Sequence, residues 1–255
     1  MIGIFDSGFG GLTVMRHIQA LLPFEEILYF GDTARLPYGD KSPKTITEYC
    51  LENSTFLVEK GIDTLVIACH SACSVALSSL RVHFSIPIIG IIEYGLSEIP
   101  QDAKVIVILG TRATIAAGLY EKRIHARFPE AEILPIACPL FVPLVEEGYS
   151  DHVVASLVAK EYLRPLREKK VDAVILGCTH YPLLQKVLEQ ELKDIPLIDP
   201  AAACALALAQ MHKPSGLNEA APRHTFYVSD HPEKFRTLGE VFLQEPIVAI
   251  KNVHS

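Results

Sequence analysis

The sequence predicts an α/β protein of two similar three-layer domains. Each is built on a mostly parallel sheet, the two are related by pseudo-twofold symmetry, and a cleft with the active site lies between them. Three observations predict it. Short runs that are apolar throughout, rather than alternating, suit parallel strands covered on both faces. Helical patterns separate most of these runs, as in βαβ units with right-handed crossovers. The chain also repeats itself faintly. "IDTLVIACHSA" (62–72) aligns without gaps on "VDAVILGCTHY" (171–181), aspartate on aspartate and cysteine on cysteine, at an offset of 109.

The elements follow in order. A first strand over 2–5 runs into the helical pattern "GGLTVMRHIQALL", and a second over 27–30 precedes "SPKTITEYCLENSTFLVEKG". A third over 64–68 and a fourth over 86–92 end the first half. Strands over 104–109, 133–137, 172–176 and 196–198 repeat the series. The offset of 109 also lays "PIIGI" over "PLIDP". Slightly smaller offsets lay "GIFDSG" over "VILGTR" and "EILYFGDTARLP" over "EILPIACPLFVP". Four matches in one order indicate two related half-chains. Strands over 225–228 and 247–250, with the helix "PEKFRTLGEVF", have no third copy to match. They are expected to complete the first half's sheet. The expected domains are 1–97 plus 208–255, and 98–207. The Pro- and Gly-containing stretch "HKPSGLNEAAPRH" (212–224) reads as a loop.

Composition narrows the function classes. With 255 residues, 49% of them hydrophobic, the chain can bury one large core or two modest ones. A formal net charge of −7 without a Lys/Arg block argues against nucleic acid and anionic membranes as partners. No segment approaches the length of a membrane helix. No signal peptide is expected, because "MIGIFDSG" meets Asp6 before any long apolar run. A cytoplasmic chain keeps its six cysteines reduced, so they must serve packing, metal or catalysis.

Cys69 and Cys178 each stand where a strand ends and a helix is expected to begin. Ligands of open α/β sheets sit at such points. A helix N-terminus beside each is expected to lower the thiol pKa from about 8.5 into the range of roughly 3.5–7.5. A cysteine at one strand end is more often a small core residue; the paired placement argues otherwise here. Cys50, Cys73, Cys138 and Cys204 lack that pairing and read as core. Metal is not expected, since Cys69, His70, Cys73, Cys178 and His180 match no zinc spacing. A Cys-x-x-Cys redox pair is absent. A single cysteine nucleophile leaves the second thiol unused. Two opposed thiols suit a reaction that handles a proton on both faces of one carbon, which is racemisation by two bases. No cofactor is expected: "DSGFGG" is neither a dinucleotide fingerprint nor a P-loop.

The stretches "FDSGFGGLTV", "FGDTARLPYG", "CPLFVPLVEEG" and "GCTHYPLL" resemble those of the glutamate racemases, in the cofactor-independent aspartate/glutamate racemase superfamily. The likeness runs from residue 2 to "FYVSDHPEKFRTLGEVFL", essentially the whole chain. It implies a cytoplasmic homodimeric isomerase that supplies D-glutamate for peptidoglycan. Carried over by motif, Cys69 and Cys178 are the acid/bases, Asp6 and His180 their polar partners, and Glu146 a further assisting carboxylate. Ser7, Pro37, Tyr38, Gly39 and Thr179 match positions that hold the amino acid, with Asp6 and His180 beside them. The chain departs from the family's usual Cys-Asn-Thr-Ala at Cys69-His70-Ser71-Ala72. Ser71 keeps a hydroxyl. His70 is expected to meet the substrate carboxylate and to gain charge as the pH falls below about 6.5. Other readings stay open: an aspartate or hydantoin racemase, a cysteine-dependent isomerase, or an amino-acid-binding relative made inert by His70.

Overall fold

The computed structural model describes residues 1–212 and 224–253, and all but the two ends of the expected loop 212–224 lies outside them. Its first eight strands are β1 (Ile2–Asp6), β2 (Ile27–Gly31), β3 (Thr64–Ile67), β4 (Ile88–Gly90), β5 (Val105–Gly110), β6 (Glu132–Ala137), β7 (Ala173–Gly177) and β8 (Leu197–Ile198). With β9 (Thr225–Val228) and β10 (Ile250–Asn252) they form two sheets, ordered β10-β9-β2-β1-β3-β4 and β6-β5-β7-β8. Every pairing is parallel. The first four and second four strands therefore share one order, and they share a register. Leu28, Gly3, Leu65 and Ile88 lie side by side across the first sheet. The residues aligned with them by the internal repeat, Leu134, Val107, Val174 and Leu197, lie side by side across the second.

The helices cover both sheets. They are α1 (Leu12–Leu21), α2 (Pro43–Glu59), α3 (His70–His83), α4 (Arg112–Ala116), α5 (Leu119–Arg127), α6 (Phe141–Glu146), α7 (Val153–Leu163), α8 (Gln185–Leu192), α9 (Pro200–Met211) and α10 (Pro232–Leu243). Their starts follow local chemistry. Ser42 accepts a bond from the Thr45 N–H ahead of Pro43, and Asp199 accepts one from Ala201 ahead of Pro200. A side-chain acceptor followed by proline satisfies one orphan donor and omits another. Burial on both faces explains the unbroken apolar runs: every residue of β1, β3 and β7 is buried.

Two expected strands change. The run 86–92 is a strand only over Ile88–Gly90, and Ile91–Glu93 coils into a 3₁₀ turn where the chain leaves the sheet for the second lobe. The run 247–250 contributes Ile250 alone to β10. Ile247 is apolar because it fills the core: a Cβ on Gly239 would lie 2.7 Å from its Cδ1. Its backbone is satisfied by α10 rather than by a ladder, with Arg236 donating to its carbonyl and Glu240 accepting from its N–H. The two chain crossings between lobes pack on each other, Gly95 of the first lying against Pro200 of the second. Helix α9 then packs along α1.

Candidate active site

Cys69 follows β3 and Cys178 follows β7, so each thiol stands at the carboxyl end of a strand next to the centre of its sheet. Both are free and buried. They line one cavity between the lobes. Ser7, Pro37, Tyr38, Gly39, His70 and Ser71 line it from the first lobe. Glu146, Thr179 and His180 line it from the second. Asp6 does not reach the wall; it is wholly buried beneath it, close enough to act on both thiols.

On the first wall the Cys69 thiol donates to the Ser7 hydroxyl at 3.4 Å. Cys69 also caps α3, its sulfur accepting from the Ala72 N–H at 3.5 Å. These contacts and the helix terminus favour a thiolate. Burial outweighs them, and the nearby Asp6 carboxylate adds to it, so Cys69 is pushed up to about 11. Cys178 is raised as well, first by burial and then by the neighbouring Cys69, Asp6 and Glu146 charges, against a backbone hydrogen bond from His180. A short 3₁₀ turn, Tyr181–Leu184, follows it in place of the expected helix start. The expectation of two thiols lowered by helix termini is thus overturned by desolvation. Asp6 is shifted the same way by burial: its pKa is raised, although the His180 charge and the Gly8 N–H, 2.9 Å from Oδ1, oppose the change. The Gly11 N–H and the Thr179 hydroxyl also oppose it, yet Oδ2 has no partner within hydrogen-bond geometry.

The second wall carries a relay. His180 Nδ1 lies 4.0 Å from Cys178 Sγ, and its Nε2 lies 3.2 Å from Glu146 Oε1. A carboxylate can only accept, so Nε2 carries the proton; in the neutral ring Nδ1 then turns its lone pair toward the thiol. The Phe242 ring stands edge-on to the imidazole at 5.1 Å. Lys234 reaches from α10 to Glu146 Oε2 at 3.7 Å, which joins the first lobe to this relay.

His70 does not behave as its residue type suggests. It is only 2% exposed, and burial lowers its pKa to about 3. The expected gain of charge below about 6.5 is overturned, because burial strips an imidazolium of its water and no opposite charge offsets the loss. Tyr38 commits its hydroxyl to a hydrogen bond with Asp32, which Arg35, Asn53 and Ser229 also hold. The lobes meet closely at two glycines. A Cβ on Gly10 would lie 2.1 Å from Thr179 Oγ1, and one on Gly39 would lie 2.8 Å from Thr111 Cβ.

Four lining residues escape the sequence reading: Gly8, Leu36, Thr111 and Val142. Thr111 had a signal, since the repeat lays Ser7 over it, and its hydroxyl meets Ser71 across the lobes at 2.8 Å. Among the described residues no three His, Cys, Asp or Glu side chains converge as a metal site would need. No described helix is long and apolar enough to cross a membrane.

Comparison with known proteins adds to this geometry. The family model for Asp/Glu/hydantoin racemase matches residues 2–208. The chain is 46% identical to the glutamate racemase of Geobacter metallireducens over 249 residues, 95% of this chain and 92% of that one. It is 42% identical to the glutamate racemase of Syntrophus aciditrophicus, over 99% and 96% of the two chains. In three dimensions it resembles the crystal structure of Francisella tularensis glutamate racemase in complex with D-glutamate. The TM-score is 0.94 at 37% identity, covering 99% of this chain and 96% of that one.

Proposed function

The chain belongs to the Asp/Glu/hydantoin racemase family, and on that premise we propose that it interconverts L- and D-glutamate by a cofactor-independent two-base mechanism. The bases are Cys69 and Cys178. The observation that carries this reading is the pair of buried thiols at repeat-equivalent strand ends, lining one cavity.

Both thiols are neutral at rest because burial penalises the thiolates. His180 Nδ1 takes the Cys178 proton while Glu146 balances the imidazolium at Nε2. The Cys178 thiolate then removes the α-proton of the enantiomer that turns its Cα–H toward it. The Cys69 thiol delivers a proton to the opposite face, and its thiolate is held by the Ser7 hydroxyl and the Ala72 N–H. In the other direction Cys69 is the base, and Asp6 beneath it is the proton acceptor that its raised pKa suits. Ser71, Thr179 and the backbone of Pro37, Tyr38 and Gly39 hold the substrate's polar groups. We draw the boundary of the second domain at Asp199 rather than 207, since α9 is capped there and packs on α1. The biological role is supply of D-glutamate for peptidoglycan by a cytoplasmic homodimer.

Incubation with L-glutamate in heavy water tests the reading, with circular dichroism and the α-proton signal followed together. The optical signal decays as deuterium enters Cα. L-aspartate, run in parallel, reacts far more slowly. Cys69→Ser and Cys178→Ser each lose about 10²–10⁴-fold or more of racemisation in both directions. Either variant retaining full activity overturns the two-base scheme.

A further inference from the structure

We propose that Tyr120 is a positioning residue that fixes the tautomer of His70, making this point of the cavity wall a neutral N–H donor. Tyr120 lies on α5 of the second lobe and is wholly buried. Its hydroxyl is 2.9 Å from His70 Nδ1, and the two rings stack at 6.0 Å with 22° between their planes. Among the described residues that nitrogen is the hydroxyl's one hydrogen-bond partner. This decides the direction of the bond. If Nδ1–H donated to the phenol, the phenolic proton would be buried without an acceptor, a larger loss than a typical hydrogen bond gains. If the phenol donates to the Nδ1 lone pair, both groups are satisfied and the ring proton moves to Nε2. That nitrogen has no partner among the described residues, and His70 lines the cavity.

The consequence is chemical. A neutral N–H accepts no hydrogen bond, so it pairs with an oxygen of the substrate and rejects an ammonium. The part of an amino acid that fits beside His70 is a carboxylate. Here the inference rests on the reading of the site as an amino-acid racemase. The two histidines of the cavity are set oppositely. Glu146 accepts from His180 and leaves it a lone pair for proton transfer, while Tyr120 donates to His70 and leaves it a donor for binding. Tyr120 thereby reaches across the lobes to complete a first-lobe wall.

Nitrogen-15 NMR of the ligand-free protein tests the assignment, with the His70 signals identified by their loss in His70→Asn. The expected spectrum has the proton on Nε2 across the neutral range; a proton on Nδ1 overturns the proposal. In Tyr120→Phe the proton redistributes toward Nδ1, and KM for glutamate rises about fivefold, the worth of one neutral hydrogen bond, with kcat nearly unchanged. In a His70→Asn background the same substitution leaves KM within about twofold. If Tyr120→Phe changes neither tautomer nor KM in an active enzyme, the proposal is wrong. If the tautomer shifts and KM does not, the binding role is wrong. If the unmodified protein does not racemise glutamate, the functional reading fails, and the ligand-free spectrum still decides the tautomer.

Discussion

Asp6 holds a carboxyl group that the fold buries completely and supplies with one firm hydrogen bond, leaving Oδ2 without a partner. Its folded pKa is raised above the ordinary carboxylate value. A group raised on folding supports the native state most at pH below its unfolded pKa, and that support is lost as the pH rises through the folded one. Asp6→Asn removes this loss. The melting temperature of the variant is expected to exceed that of the parent by a margin that widens from pH 4 upward, while racemisation falls by about 10²-fold or more. A margin that is flat with pH would show that the carboxyl is not under strain. Asp6 is legible in the sequence only through its motif, because a buried acid and a turn residue look alike in a string of letters. Tyr120 and Lys234 carry no signal at all. Each acts through one contact with a residue far away in the chain.

At the scale of elements the reading succeeds where burial is symmetric. Strands covered on both faces write apolar runs, and the two half-chains share strand order and register. It fails where an apolar residue serves packing instead of a ladder, as Ile247 does, or where a chain crossing coils, as at Ile91–Glu93. The approach to α1 is the element most sensitive to a small change. A methyl group on Gly10 has no room beside Thr179 and His180, so Gly10→Ala must push back either those side chains or the whole second lobe. A displacement near 1 Å lowers kcat/KM by about 10²-fold. Thermal stability should change little, since the lobes keep their separate sheets. Wild-type kinetics in Gly10→Ala would mean that the loop yields without disturbing the site.

At the scale of the whole molecule, ion pairs join the two lobes. Arg112 donates to Asp40 at 2.7 Å, and Lys234 lies 3.7 Å from Glu146. Asp40 and Glu146 occupy aligned positions of the two half-chains, so the repeat has put one acid on each lobe facing a cation of the other. Asp40 and Arg112 are more than half exposed, and such a pair adds little to folding stability. Its expected effect is on the cleft that it spans. Arg112→Ala is expected to raise KM a few-fold with the melting temperature almost unchanged, and high salt should mimic it in the parent protein. A KM insensitive to both would show that the pair has no effect on the cleft. Although the half-chains match in their strands, the two thiol walls are chemically unequal: a hydroxyl and a helix end serve Cys69, an imidazole and a carboxylate serve Cys178. In a racemase that inequality has a strict bound. Mirror-image amino acids have the same free energy in water, so the equilibrium constant is one. The second-order rate constants of the two directions must then be equal. The unlike walls are free to set different saturation levels and different maximal rates for the two enantiomers, but only in the same proportion.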